Sequence, residues 1–195
     1  MMGTFVLATA NPHKTDEMRA VLEPLGVELL TRPTGVPEVE ETDDTLEGNA
    51  LLKARALVVA TGMAAIADDT GLFVDVLSGR PGVRSARYAG PGASYEDNVA
   101  KLLDELEGVE VGVRSARFRT VIAVAYPDGS SLVVQGELSG EITIEPRGDN
   151  GFGYDPVFVP ESGDGATLAE LTEKAKNDIS HRGRALRALV ATLSV

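Results

Sequence analysis

Thr4–Thr9 (TFVLAT) is a short apolar run of strand length that passes into the turn Ala10-Asn11-Pro12. From about His13 to Leu25, Met18, Val21, Leu22 and Leu25 then recur at helical spacing. Gly26 is a helix stop, and Val27–Leu30 reads as a second strand. Strand, helix, strand in this order opens an α/β domain. A second texture limits the sheet further. Between Val111 and Ile144, β-branched residues alternate with polar ones around the turn Pro127-Asp128-Gly129, which predicts an antiparallel hairpin with more strand near Gly140–Ile144. The expected fold is therefore α/β with a mixed sheet.

The stretch from 45 to 61 (TLEGNALLKARALVVAT) reads as a long helix closed by Gly62. Ala64–Ala67 is a strand that ends at Asp68-Asp69-Thr70-Gly71, and Arg80–Ala93 is a Gly/Pro-rich loop. Ser94–Leu106 is helical, with Val99, Leu102, Leu103 and Leu106 on one face. Val157–Val159 is a short strand, Thr167 and Glu170 have capping-box spacing, and a last helix runs from after Ser180 to about Leu193. At 195 residues the chain is expected to form a single domain, 1–195. Its hairpin-rich region, at about 111–145, would make a second lobe, with a cleft between the two.

Eighteen basic against thirty acidic residues leave a net charge of −12, which disfavours binding to a nucleic acid polymer. No cysteine is present, so thiolate metal sites and thiol nucleophiles are excluded. No apolar run reaches the ~20 residues of a membrane span, and the first residues lack the basic start of a secretion signal. The expectation is a soluble, cytoplasmic protein that does not bind membranes.

Thr9-Ala10-Asn11-Pro12-His13-Lys14 lies where a first strand meets a first helix, a place that favours phosphate. An ordinary strand–helix turn with a solvated lysine is the competing reading. Asp68 and Asp69 are adjacent on extended backbone, so their side chains point to opposite faces. Such a pair suits Mg²⁺ or a general base, and equally a cap or turn. The run Glu38, Glu40, Glu41, Asp43, Asp44 and Glu47 precedes a helix start, where acids favour the dipole. One of them could complete a metal site. Asn49 and Lys53, four apart, share a helix face from which the lysine reaches an anion. Lys14 and Lys53 are both read as exposed.

Phe152 between two glycines in GFGYD either stacks on a flat ring or plugs the core with Tyr154. Lys174, Lys176, His181, Arg182 and Arg184 form the densest basic patch, with Ser180 as the cap of the last helix. Arg182 offers a planar donor fork for a phosphate or a base carbonyl. The competing reading is a solvated basic helix start.

Five blocks in order resemble the non-canonical purine nucleoside triphosphate pyrophosphatases, the inosine/xanthosine triphosphate pyrophosphatase family. They are LATANPHK at 7–14, ETDDTLEGNALLKA at 41–54, ADDTGLFVDVLSGRPGVRSARYAG at 67–90, GFGYDPVF at 151–158 and ISHRGRAL at 179–186. The resemblance implies a homodimer with a long mixed sheet flanked by helices and a nucleotide cleft between two lobes. It implies Mg²⁺-dependent hydrolysis of ITP, dITP and XTP to the monophosphate and pyrophosphate. Thr9, Asn11, Lys14 and Lys53 would bind the triphosphate. Asp69 would be proton acceptor and metal ligand, with Glu41 beside the metal and Thr70 on the substrate. Phe152, Gly153, Tyr154, Asp155, Lys176, His181 and Arg182 would form the base and phosphate pocket, with Arg182 donating to the 6-carbonyl. The family often has an acid where this chain has Gly48. A nucleotide-binding module without turnover and a pyrophosphatase for modified pyrimidine triphosphates are the rival expectations.

Overall fold

The computed structural model describes residues 3–194, in which a mixed sheet of seven strands is flanked by helices. The strands are β1 (Gly3–Leu7), β2 (Val27–Leu30), β3 (Ala65–Val74), β4 (Pro81–Gly82), β5 (Ser115–Ala125), β6 (Ser131–Ile142) and β7 (Phe158–Pro160). Their order is β2-β1-β3-β5-β6-β7, with β4 paired to β3. β1 is parallel to β2 and β3, whereas the β3–β4 and β6–β7 pairs are antiparallel. The helices are α1 (Pro12–Leu22), α2 (Leu46–Thr61), α3 (Tyr95–Glu105), α4 (Glu173–Ile179) and α5 (His181–Leu193). Among the described residues, no helix is long and apolar enough to cross a membrane.

The chain divides into two compact units. One comprises Met1–Asp69, Thr120–Gly136 and His181–Val195, the other Thr70–Arg119 and Glu137–Ser180. Each has its own apolar core. In the first, Phe5, Leu7, Ile66, Ile122 and Val124 from strands pack with Met18 and Leu22 of α1 and Leu186 and Leu189 of α5. In the second, Leu72, Val74, Phe118, Leu138 and Phe158 pack with Val99 and Leu102 of α3. Residues 111–145 are thus shared between the units.

Local chemistry sets the element ends. Asn11 caps α1 by accepting from the amides of His13 and Lys14, with Pro12 preset at the first helical position. The helix expected to reach Leu25 stops at Leu22 and tightens into a 3-10 turn, Glu23–Leu25. Pro24 has no N–H to continue the ladder. Thr45 caps α2 through the Gly48 amide, and Gly62, at φ 68°, closes it. The Ser94/Asp97 capping box starts α3.

Two further expectations need correction. The strand predicted to end at Asp68 runs on to Val74, because the charges of Asp68 and Asp69 are satisfied inside the fold. Within that extension, a Cβ on Gly71 would lie 2.6 Å from the Gly82 carbonyl oxygen, so the approach of β4 requires glycine. The loop from 80 to 93 contains β4 and a 3-10 turn, Ser85–Arg87. The helix α4 carries no apolar signal in the sequence, since its one buried residue is Lys176.

Candidate active site

The first unit gathers the phosphate-type and acidic residues. Thr9 Oγ1 accepts the Asn11 amide at 3.1 Å, and Asn11 in turn caps α1, which carries Lys14. Lys14 Nζ lies 3.0 Å from Asp68 Oδ2. The same oxygen receives Arg182 Nε at 3.3 Å and Nη2 at 3.1 Å, while Arg182 Nη1 donates to Glu17. Burial alone pushes the Asp68 carboxyl up, but Lys14, Arg182 and Lys53 outweigh it and hold it well below the usual carboxylate range. Arg182 is 3% exposed, with its fork engaged by two carboxylates. The readings of a solvated basic helix start and of exposed lysines are corrected here. His181 and Arg182 are buried, and the side chains of Lys14 and Lys53 are only 19% and 15% exposed.

Asp69, the next residue of β3, meets a different set of partners. Lys53 Nζ sits 2.8 Å from Asp69 Oδ1 and 3.0 Å from Glu41 Oε1. Asn49 Nδ2 donates to Asp69 Oδ2 at 3.4 Å. Burial raises the Asp69 carboxyl; Lys53 opposes the rise and Glu41 adds to it, leaving the group at about 6. Burial works against the Lys53 ammonium, yet Asp69, Asp68 and Glu41 hold its pKa above the ordinary lysine value. Glu41 and Asp69 therefore converge on one cationic centre. Among the described residues, no set of three or more His, Asp or Glu side chains is placed to hold a metal ion. Two hard carboxylates are nevertheless what Mg²⁺ takes when phosphate oxygens and water complete its shell. The donor set fits that ion.

His181, which opens α5, is held from β5. Its Nδ1 and Thr120 Oγ1 are 2.6 Å apart and buried.

The second unit holds the aromatic group. Asp155 Oδ2 accepts the Phe152 amide at 2.9 Å and Lys176 Nζ at 2.6 Å. That ammonium also lies 4.8 Å from the Phe152 ring centre. Tyr95 approaches the same ring, with centroids 5.8 Å apart and planes at 43°. The core reading holds for Tyr154 and not for Phe152. Phe152 is half-buried, whereas Tyr154 is in the core and donates its hydroxyl to the Ser85 carbonyl oxygen at 2.9 Å. Burial pushes the Tyr154 phenol up, so it stays protonated. Gly153, at φ 65°, lets the loop turn, and Thr70 follows Asp69 in β3 with its side chain half-buried.

Thr9, Asn11, Lys14, Glu41, Lys53, Asp69, His181 and Arg182 thus belong to one unit, and Thr70, Phe152, Gly153, Tyr154, Asp155 and Lys176 to the other. Sequence reasoning missed Glu17, Thr120 and Tyr95 and gave Asn49 no role. Glu17 lies one turn after Lys14 on α1, which is a usable signal. Thr120 is 61 residues from His181 and gives none.

The model of the Ham1 family matches residues 5–192. The dITP/XTP pyrophosphatase of Bacillus licheniformis is 50% identical over 194 residues, covering 98% of both chains. A solved HAM1 protein from Coxiella burnetii is 42% identical, with a TM-score of 0.89 over 100% of this chain and 99% of its own. A solved nucleoside-triphosphatase / dITP/XTP pyrophosphatase from Mycobacterium abscessus is 46% identical, with a TM-score of 0.74 over 95% of this chain and 97% of its own.

Proposed function

The chain belongs to the Ham1 family, and from that premise we propose that it hydrolyses non-canonical purine nucleoside triphosphates (dITP, ITP and XTP) to the monophosphate and pyrophosphate. The observation that carries this reading is the meeting of Glu41 and Asp69 on Lys53, with Asp69 held at about 6. A carboxyl in that range is ionised at neutral pH yet basic enough to take a proton. Binding alone would need no acids beside a triphosphate.

Asp69 accepts a proton from the attacking water. The water oxygen bonds to the α-phosphorus, the bond from that phosphorus to the αβ-bridging oxygen breaks, and pyrophosphate departs with the electron pair. Thr9, Asn11, Lys14 and Lys53 bind and offset the phosphates, as phosphoryl transfer by positioning and electrostatics requires. Glu41 and Asp69 would hold Mg²⁺, which supplies charge neutralisation to the leaving group. Phe152 stacks on the purine, and Asp155 accepts from N1–H. Lys176, which only donates, suits a 6-carbonyl and opposes the 6-amino group of adenine. Arg182 is held by Asp68 and Glu17 in the unit of the phosphate-binding residues, whereas Lys176, though paired with Asp155, lies beside the Phe152 ring, and for that nearness we assign selection at position 6 to Lys176. Thr70, Gly153 and Tyr154 shape the same substrate contacts, and His181 and Arg182 act on the phosphate side. We assign this activity to the cytoplasm and, on the family resemblance, to a homodimer.

A panel of dITP, XTP, dATP, dGTP and modified pyrimidine triphosphates with Mg²⁺ tests the reading. Pyrophosphate release from dITP and XTP well ahead of the others is expected. Binding without turnover would return the chain to a nucleotide-binding module. Orthophosphate as first product would make it a general phosphatase.

A further inference from the structure

Asn49 lies on the first turn of α2, fully buried, and has no role in the scheme above. Its Oδ1 accepts the Asp43 backbone N–H at 3.0 Å. Its Nδ2 donates to the Asp43 carbonyl oxygen at 3.1 Å and to Asp69 Oδ2 at 3.4 Å. An amide has one acceptor oxygen and one donor nitrogen, so the Asp43 N–H fixes which end faces Asp69. Asp43 is itself anchored. Its Oδ1 accepts from the Thr45 amide at 2.8 Å and from Thr45 Oγ1 at 2.6 Å. Gly48 leaves the room for this arrangement, since a Cβ there would fall 2.0 Å from the Asp43 Cγ. One buried side chain therefore joins the segment that carries Glu41 to the strand that carries Asp69.

We infer that Asn49 is a positioning residue that locks Asp69 against the Glu41-bearing segment, so that the two carboxylates converge on one divalent cation. The inference rests on the reading of Glu41 and Asp69 as metal ligands. Neither an aspartate nor an aliphatic residue can replace the amide. An ionised aspartate has no donor for Asp69 or for the Asp43 carbonyl, and a leucine leaves all three partners unmet. Lys53, one turn further along α2, pairs with both Glu41 and Asp69, so the helix presents an amide to Asp69 and an ammonium to both acids.

The test titrates Mn²⁺ alone into the full chain, followed by electron paramagnetic resonance, with dITP turnover measured in parallel. The variants are Asn49→Ala, Asn49→Leu and, as a packing control on the same helix, Leu57→Ala. Leucine keeps the asparagine branching and leaves no cavity, so a variant remains if the alanine cavity prevents folding. Both Asn49 variants should lose about tenfold or more in Mn²⁺ affinity and in kcat, with KM for dITP changed by less than about threefold. Leu57→Ala should leave Mn²⁺ affinity within about twofold of the wild type. Wild-type Mn²⁺ affinity in a folded Asn49 variant overturns the inference, as does an equal loss in Leu57→Ala. If the wild type binds Mn²⁺ but releases no pyrophosphate from dITP, the proposed function fails, while the Mn²⁺ comparison still decides the role of Asn49.

Discussion

Asp68 and Asp69 are neighbours on one strand, yet their surroundings push them in opposite directions. Lys14 and Arg182 share one oxygen of Asp68, and its proton affinity is low. Asp69 is in direct contact with one ammonium, which it shares with Glu41, and burial prevails. Two consequences are measurable. Replacing Asp69 by Asn keeps its shape and removes the base, so turnover should fall about 10²–10⁴-fold with the fold retained; near-wild-type kcat would exclude Asp69 as the base. The same variant should be more stable than the wild type without metal. A carboxyl raised from 3.8 to about 6 binds its proton more tightly when folded, so its ionisation costs stability progressively from about pH 4 to 6, fully above that, and not at all below about 4, where both states are protonated. The gain should reach on the order of 3 kcal/mol near pH 8 and vanish near pH 3, read as Tm against pH. Arg182→Ala acts in the other sense. It strips Asp68 of its fork partner and leaves Glu17 facing the gap, a loss of about 3–5 kcal/mol in urea unfolding. Because two acids hold the guanidinium in the unit of the phosphate-type residues, ITP and ATP turnover should fall by a similar factor; a narrowed ITP/ATP ratio would return base reading to Arg182.

Elements place these residues through close backbone contact as well as through caps. A Cβ on Gly136 of β6 would lie 2.2 Å from the His181 carbonyl oxygen and 2.5 Å from the Ala185 amide nitrogen. Both are backbone atoms, so the first turn of α5 must shift if the residue grows. Gly136→Ala should therefore cost about 1–3 kcal/mol and lower kcat/KM by displacing His181 and Arg182. Wild-type values for both would show that α5 is not held there. Several elements were legible in the sequence for physical reasons. The strand, Asn11 cap and amphipathic stretch at the start, the Thr45 and Ser94 caps and the Asp128-Gly129 turn each carry their signal within a few residues. Where the signal is nonlocal, it failed. Two aspartates read as a strand end because their counterions come from α1, α2 and α5. The helix α4 was hidden because its buried face is a lysine paired with Asp155. The site divides in the same way. Contiguous motifs gave Asn11, Lys14, Lys53, Asp69 and Phe152, whereas Thr120 depends on a contact that only the sheet creates.

For the whole molecule, the phosphate-type residues fall in one compact unit and the aromatic group in the other, in a chain of net charge −12. A tetra-anionic substrate of the kind proposed would have to be met by local cations and a metal, against the overall field. The active form is expected to be a homodimer, and light scattering at micromolar protein should give twice the chain mass; a monomer mass would refute this. Water attack at the α-phosphorus, with Asp69 taking the proton, is tested most directly by turnover of dITP in ¹⁸O-labelled water with Mg²⁺. Mass spectrometry should find the label in the monophosphate, with unlabelled pyrophosphate as the other product and no turnover beyond trace in Asp69→Asn. Label in pyrophosphate, release of orthophosphate, or undiminished labelling in Asp69→Asn would contradict it.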